Sequence, residues 1–206
     1  MTEPTLLIPQ FDPKEHRYEV AGQVVPSVTE ILTAALGRNP FWTKEGRQFG
    51  TAVHTAIHYY TQGDLDYGSL HPRVKPRVDA YLKFCAEWQF KPDLVEQPLY
   101  MEQPLVCGTP DQVQFERAVV DFKCGPHLPE HALQLASYAH MLPNPLKYER
   151  LGVHLLDNGK YSLTPYRKQE AASDWNVFYW MAMKFYAETA IENWRKRYVS
   201  GRTERN

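Results

Sequence analysis

The stretch Ala118-Val119-Val120-Asp121-Phe122-Lys123 constrains this chain more than any other. It reads as a short apolar strand that ends in charge. Side chains alternate along a strand, so Asp121 and Lys123 share one face. Val120 and Phe122 point the other way and can pack. Other strand-like runs lie around it. Leu94 to Tyr100 is one, and Leu105 to Phe115, kinked at Gly108-Thr109-Pro110, is another. Leu151 to Leu156 and Tyr161 to Tyr166 flank Asp157-Asn158-Gly159, a strong hairpin-turn signal. Tyr18 to Val25 reads as a smaller hairpin turning at Ala21-Gly22-Gln23.

Helical patterns fill most of the rest. Ser27 with Glu30 three residues on is a capping box, and Ile31, Leu32 and Leu36 supply the apolar face of the helix that follows. Gly37 ends it. Further helices are expected from about Trp42 to Thr61, from about Val74 to Trp88 (Val78, Tyr81, Leu82 and Cys85 on one stripe), over Pro129 to Leu142, and from about Glu170 to Tyr198. The first ten residues are expected to be a loose arm. The order of helices, strands, helix, hairpin and helix predicts an α/β fold: a central mixed sheet flanked by helices, with an N-terminal helical wall and a long C-terminal helix. The 206 residues suit one domain, with a mainly helical part over 1–90, a sheet core over 91–170 and a C-terminal helix and basic tail over 171–206.

Composition narrows the class. Apolar residues at 43% and charged residues at 23% are those of a globular protein, against disorder or coiled coil. No apolar run is long enough for a membrane helix. Met1-Thr2-Glu3-Pro4 lacks a signal-peptide pattern, and the scattered Cys85, Cys107 and Cys124 read as free thiols of a reducing compartment, so a cytoplasmic location is expected. The net charge of −1 does not advertise nucleic acid. Nor does it exclude it, because a local basic track and an acidic metal site cancel in the sum.

Asp111 follows the kink, ten residues before Asp121. If the two strands form a hairpin, both acids converge at one end of the sheet. Two carboxylates and a lysine around one point suit a hard divalent cation, Mg²⁺ or Mn²⁺. Such an ion polarises a phosphoryl oxygen and generates hydroxide, and a lysine offsets charge on phosphate. Taken alone, Asp-x-Lys is more often a surface pair on an edge strand.

The wider pattern resembles the PD-(D/E)XK nuclease superfamily. Pro110-Asp111 and Asp121-Phe122-Lys123 match its signature in order and spacing. Gly50-Thr51-Ala52-Val53-His54 resembles the upstream histidine motif of the RecB-like and phage-exonuclease branch. Gln134-Leu135-Ala136-Ser137-Tyr138 resembles its Gln-x-x-x-Tyr helix, and Pro26 to Leu32 resembles the start of exonucleases of this group. The similarity spans roughly residues 17 to 142. Each motif alone is weak, and together in order they are fairly specific. Cys124-Gly125 stands where Thr-Gly is common in the family.

The resemblance implies a restriction-endonuclease-like core with the acids and lysine at one edge of the sheet. It implies metal binding by His54, Asp111, Asp121 and the main-chain carbonyl of Phe122, with Lys123 as the catalytic lysine. Gln134 and Tyr138, on one helix face, would line the site and touch DNA. Glu96 matches a recurrent acidic position of lower weight. The implied function is a metal-dependent deoxyribonuclease, an exonuclease acting on DNA ends in phage or bacterial recombination and repair. An endonuclease of the same superfamily and a catalytically weak DNA-binding scaffold are the alternatives. DNA is the implied partner, with a phage strand-annealing protein beside it. Three cysteines are too few for the iron–sulfur cluster of some relatives.

Other residues carry weaker signals. Lys44 and Arg47, with Gln48, precede the histidine motif and either contact phosphates or form a solvated face. Ser27 and Thr29 at a helix start suit an anion or plain capping, with capping favoured. His54 and His58 have helical zinc-ligand spacing, yet Thr55 occupies the place of a peptidase's glutamate base. His58 is then a spare ligand or an outer residue. The aromatic run from Trp175 to Trp194 is expected in the core. The basic tail, Trp194 to Arg197 with Arg202 and Arg205, offers a phosphate track. His71, His127, His131, His140 and His154 receive no role.

Overall fold

The computed structural model describes residues 8–13, 15–37 and 43–200. The apolar strand is β8 (Ala118–Lys123), and its alternation is read out on both faces. Ala118, Val120 and Phe122 pack on one side, with Phe122 edge-on to Tyr81 at 5.2 Å and to Phe84 at 5.8 Å. Val119 packs into a second core on the other side. A strand buried on both faces belongs in the middle of a layered sheet, which is where it lies.

The main sheet has five strands in the order β10-β9-β8-β7-β4. These are β4 (Leu94–Val95), β7 (Gln112–Gln114), β9 (Glu149–Leu155) and β10 (Tyr161–Tyr166) around β8. Only β8 and β9 run parallel, with Val120 opposite Leu151 and Lys123 opposite His154. The other pairs are antiparallel, so the sheet is mixed, as expected. Asp121 and Lys123 thus sit on the central strand, not on an edge strand of the sheet, and Asp111 lies just ahead of the neighbouring β7. Pro165 is tolerated because β10 is an edge strand.

Two expected strands are each divided. Leu94 to Tyr100 breaks at Glu96, whose φ of 46° is left-handed, giving β4 and β5 (Leu99–Glu102). Leu105 to Phe115 breaks at the kink into β6 (Leu105–Gly108) and β7. β5 and β6 pair with each other and leave the main sheet. β1 (Gln10–Asp12), β2 (Arg17–Val20) and β3 (Gln23–Val25) form a three-stranded sheet packed on this ribbon through Tyr18, Val25 and Cys107. The loose arm is therefore a strand from Gln10; residues 1–7 lie outside the described part.

The helices follow their signals. In α1 (Val28–Leu36) both halves of the Ser27/Glu30 capping box form, though Leu36 is exposed. α2 (Lys44–Gln62) is capped by Thr43 and ends at the left-handed Gly63; Trp42, its expected start, lies outside the described residues. α3 (Lys75–Trp88) buries Val78, Tyr81 and Phe84, whereas Leu82 and Cys85 are only partly covered. α4 (Glu130–His140) links β8 to β9, and α5 (Ala171–Ser200) is the last described element.

The N-terminal helices pack on both faces of the sheet, and α1 and α2 both contribute to the wall of the cleft described below. Val53, Ile57, Val78 and Phe84 of α2 and α3 cover the Phe122 face. Val28 and Ile31 of α1 join Leu135 of α4 and Phe178 of α5 on the Val119 face. Arg150 of β9 is 1% exposed and fastens α5, donating to Asp174 Oδ2 at 2.6 Å and to the Arg167 and Ala132 carbonyls. The aromatic run of α5 divides, Phe178 being buried and Trp180 exposed. Arg202 and Arg205 lie outside the described residues. The three cysteines are unpaired. Among the described residues no helix is long and apolar enough to cross a membrane.

Candidate active site

Antiparallel pairing of β7 with β8 sets Gln112 opposite Val120, which brings Asp111 beside the end of β8. Asp111 Oδ2 accepts from the Phe122 amide at 2.6 Å. Asp121 Oδ2 lies 2.7 Å from Lys123 Nζ on the shared face of the strand. The expected convergence of both acids and the lysine is present, at the carboxyl end of a central strand where α/β sheets commonly place their sites.

His54 reaches this point from α2. Its Nδ1 is 3.4 Å from Asp111 Oδ1 and its Nε2 is 3.1 Å from the Phe122 carbonyl oxygen. Both neighbours are acceptors, so both ring nitrogens donate and the imidazole is charged. Burial opposes that charge, but Asp111 outweighs it and lifts the His54 pKa to about 9. Asp111 is correspondingly held below the usual carboxylate range: burial works against its charge and His54 overcomes it. Asp121 behaves oppositely. Burial, with Asp111 beside it, pushes its pKa up to about 6 despite Lys123. Lys123 stays charged, because Asp121 and Asp111 outweigh its own burial.

Lys123 Nζ also donates to Gln134 Oε1 at 3.2 Å, and Gln134 Nε2 donates to the Tyr138 hydroxyl at 3.0 Å. Gln134 and Tyr138 are one turn apart on α4 and both are buried. They line the site as expected, with their polar groups turned to the lysine and to each other. Tyr138 leans on Gly108, where an added Cβ would lie 2.6 Å from a ring carbon. Glycine in the Gly-Thr-Pro-Asp kink therefore makes room for the aromatic ring. Thr109 ties the kink to the small sheet through a 2.8 Å hydrogen bond with Tyr18.

A cleft of ≈ 430 Å³ opens over these groups, and Thr29, Arg47, His54, Asp111, Lys123 and Gln134 are among its walls. Arg47 is an exposed cation on that wall, whereas Lys44 is exposed at the start of α2 and is not among the lining residues. Ser27 is 2% exposed and its hydroxyl accepts from the Glu30 amide. It is a helix cap, and Thr29 takes the place on the wall. Glu96 stands behind the site: its amide donates to the Asp111 carbonyl, and its carboxylate is 3.2 Å from His58 Nδ1. Burial, then Asp111, raises the Glu96 pKa. His58 is thus an outer residue paired with Glu96.

The donor set fits a hard divalent ion. Asp121 Oδ2 is buried, with the Lys123 ammonium 2.7 Å away. Two carboxylates, one carbonyl and one imidazole surround that point, chemistry suited to Mg²⁺ or Mn²⁺.

Sequence reasoning missed Arg150 as an anchor and assigned nothing to His127, His131 and His154, which lie together beside the lysine. His127 and His131 are four apart, but His127 precedes α4, and His154 joins them only through the parallel pairing of β8 with β9. Burial pulls the His131 pKa down to about 3 and lowers that of His154. No protein-family model matches the chain, and a search of curated proteins found no match either.

Proposed function

We propose that this protein is a metal-dependent deoxyribonuclease with a PD-(D/E)XK core. The observation that carries the proposal is the convergence of Asp111, Asp121, Lys123, His54 and the Phe122 carbonyl at the end of β8, under an open cleft. Mg²⁺ or Mn²⁺ held by His54, Asp111, Asp121 and the Phe122 carbonyl would supply an activated water and neutralise phosphodiester charge. His54, whose two ring nitrogens face Asp111 and the Phe122 carbonyl, would serve as a ligand only in its neutral form.

The chain's own groups do the rest. Asp121 and Gln134 hold the Lys123 ammonium in place, where it can orient a water and offset negative charge on the phosphate. Arg47 on the opposite helix offers a phosphate contact. Tyr138 braces Gln134 from below. Action on DNA ends follows from the exonuclease branch that the motifs resemble, and a strand-annealing protein is the partner this would imply.

The experiment is a nuclease assay on end-labelled linear single- and double-stranded DNA and on closed circles, with Mg²⁺, Mn²⁺ or EDTA. Wild type is compared with Lys123→Ala and Asp121→Ala. Metal-dependent loss of linear DNA alone, absent in both variants, supports the exonuclease. Cutting of circles makes it an endonuclease. Equal inertness of all three proteins defeats the catalytic reading and leaves DNA binding.

A further inference from the structure

A second cluster of ligating side chains lies beside the carboxylates, and the proposed reaction does not use it. His127 is on the connection from β8 to α4, His131 is in the first turn of α4, and His154 is on β9. Their ring centroids form a nearly equilateral triangle, with sides of 6.0 Å, 5.7 Å and 6.1 Å. One ligand nitrogen from each ring lies within 4.8 Å of the other two.

Burial makes the cluster unusual. His131 and His154 are 6% and 7% exposed, and His131 Nδ1 and His154 Nε2 are buried without a hydrogen-bond partner. An orphaned buried nitrogen is costly, and two in one cluster call for a common partner. His154 Nδ1 lies 3.0 Å from the Gly125 carbonyl oxygen and must donate to it, so the lone pair is on Nε2. A ring nitrogen donating to a backbone carbonyl is how metal-binding imidazoles are oriented. His127 rests on the Tyr166 ring, with centroids 6.0 Å apart.

We infer that His127, His131 and His154 bind one transition-metal ion of borderline softness, of which Zn²⁺ is the representative. Neutral imidazole nitrogens favour such an ion, whereas Mg²⁺ prefers oxygen. Zn–N bonds of about 2.0–2.1 Å in tetrahedral geometry bring the nitrogens to about 3.3 Å from one another. The exposed, loop-borne His127, whose Nδ1 lies 3.5 Å from the Tyr166 hydroxyl, is the ring that would shift to close that gap. With three protein ligands, the fourth position is taken by water. The ion ties the loop after β8 to α4 and β9, and so stiffens the segment carrying Lys123 and Gln134. This site stands apart from the nuclease reading and does not depend on it.

The test is competition for Zn²⁺ between the full chain and a chromogenic chelator of micromolar affinity, joined to thermal unfolding of the metal-free protein with and without Zn²⁺. Asp121→Asn, which weakens the carboxylate site, is expected to take one Zn²⁺ per chain at the histidines, wild type at least one, and both to gain thermal stability from it. His127→Ala removes an exposed ring and keeps the fold, which circular dichroism verifies. It should bind at least about 10-fold more weakly and gain little stability. His154→Gln should abolish binding. The inference is overturned if wild type does not compete with the chelator, or if His127→Ala binds as tightly as wild type. It is equally overturned if Asp121→Asn loses the ion while His127→Ala keeps it, which would place Zn²⁺ at the carboxylates.

Discussion

Asp111 and Phe122 are joined by a 2.6 Å hydrogen bond from the Phe122 amide to the Asp111 carboxylate, linking the two halves of the acidic motif across β7 and β8. This bond separates the structural from the chemical role of Asp111. Asp111→Asn keeps an acceptor oxygen but removes the charge; Asp111→Ala removes both. If the proposed nuclease function holds, turnover should fall at least about 100-fold in both variants. Thermal and denaturant unfolding should show Asp111→Asn close to wild type and Asp111→Ala destabilised by about 1–3 kcal/mol, because the amide loses its acceptor. Equal stability of the two would deny the bond its structural weight.

Gln134 acts through Lys123. Gln134→Leu keeps the bulk but leaves the ammonium with Asp121 as its remaining partner and frees the Tyr138 hydroxyl. On the proposed nuclease reading, turnover should drop about 10- to 100-fold with little change in DNA affinity, because the group misplaced would act at the reacting phosphate. Steady-state kinetics beside DNA-binding titrations would show it. A loss confined to DNA affinity would instead make Gln134 a DNA contact.

Gly108→Ala should destabilise the chain by about 1–3 kcal/mol, since the new methyl collides with the Tyr138 ring. Tyr138→Phe should not rescue it, because the colliding atoms are ring carbons; Tyr138→Leu should recover part of the loss. Denaturant midpoints of the double variants decide between these outcomes.

Asp174→Ala strips the charge partner from Arg150, which is 1% exposed. The two backbone carbonyls that remain do not neutralise the guanidinium, so a loss of about 3 kcal/mol is expected. Arg150→Met with Asp174→Ala together should cost less than Asp174→Ala alone. Calorimetry of the three variants tests this order.

Burial pushes the Cys85 thiol up to about 11 from an ordinary value of 9.0. A raised thiol pKa keeps the folded state protonated where the unfolded chain has begun to form thiolate. Alkylation of Cys85 at pH 8 should be about 100-fold slower in the folded protein than in denaturant, with the difference shrinking as pH approaches 11. Stability should decline as pH rises above about 9, because the unfolded state then releases the proton first. Mass-spectrometric labelling against pH reads the first effect and denaturant titration the second.

Much of the site was legible locally. The capping box of Ser27 and Glu30, the hairpin ending in Gly159, and the two faces of β8 each depend on residues a few positions apart. The breaks at Glu96 and after Gly108 were not legible, because apolar residues continue on either side of both. The aromatic run of α5 misled for a related reason: helical spacing says which residues share a face, and only packing says that Phe178 meets α1 and α4 while Trp180 meets solvent.

By itself, the sequence determined most of the helices and the strand β8, and that Asp121 and Lys123 share a face, since backbone periodicity and capping act over a turn or two. Only the tertiary structure decided that β8 is central and parallel to β9, that His54 spans from α2 to Asp111 and Phe122, and that His154 meets His127 and His131. Those relations join residues tens of positions apart. They are selected by the requirement to bury both faces of one apolar strand at once, a condition that no short stretch of chain can express.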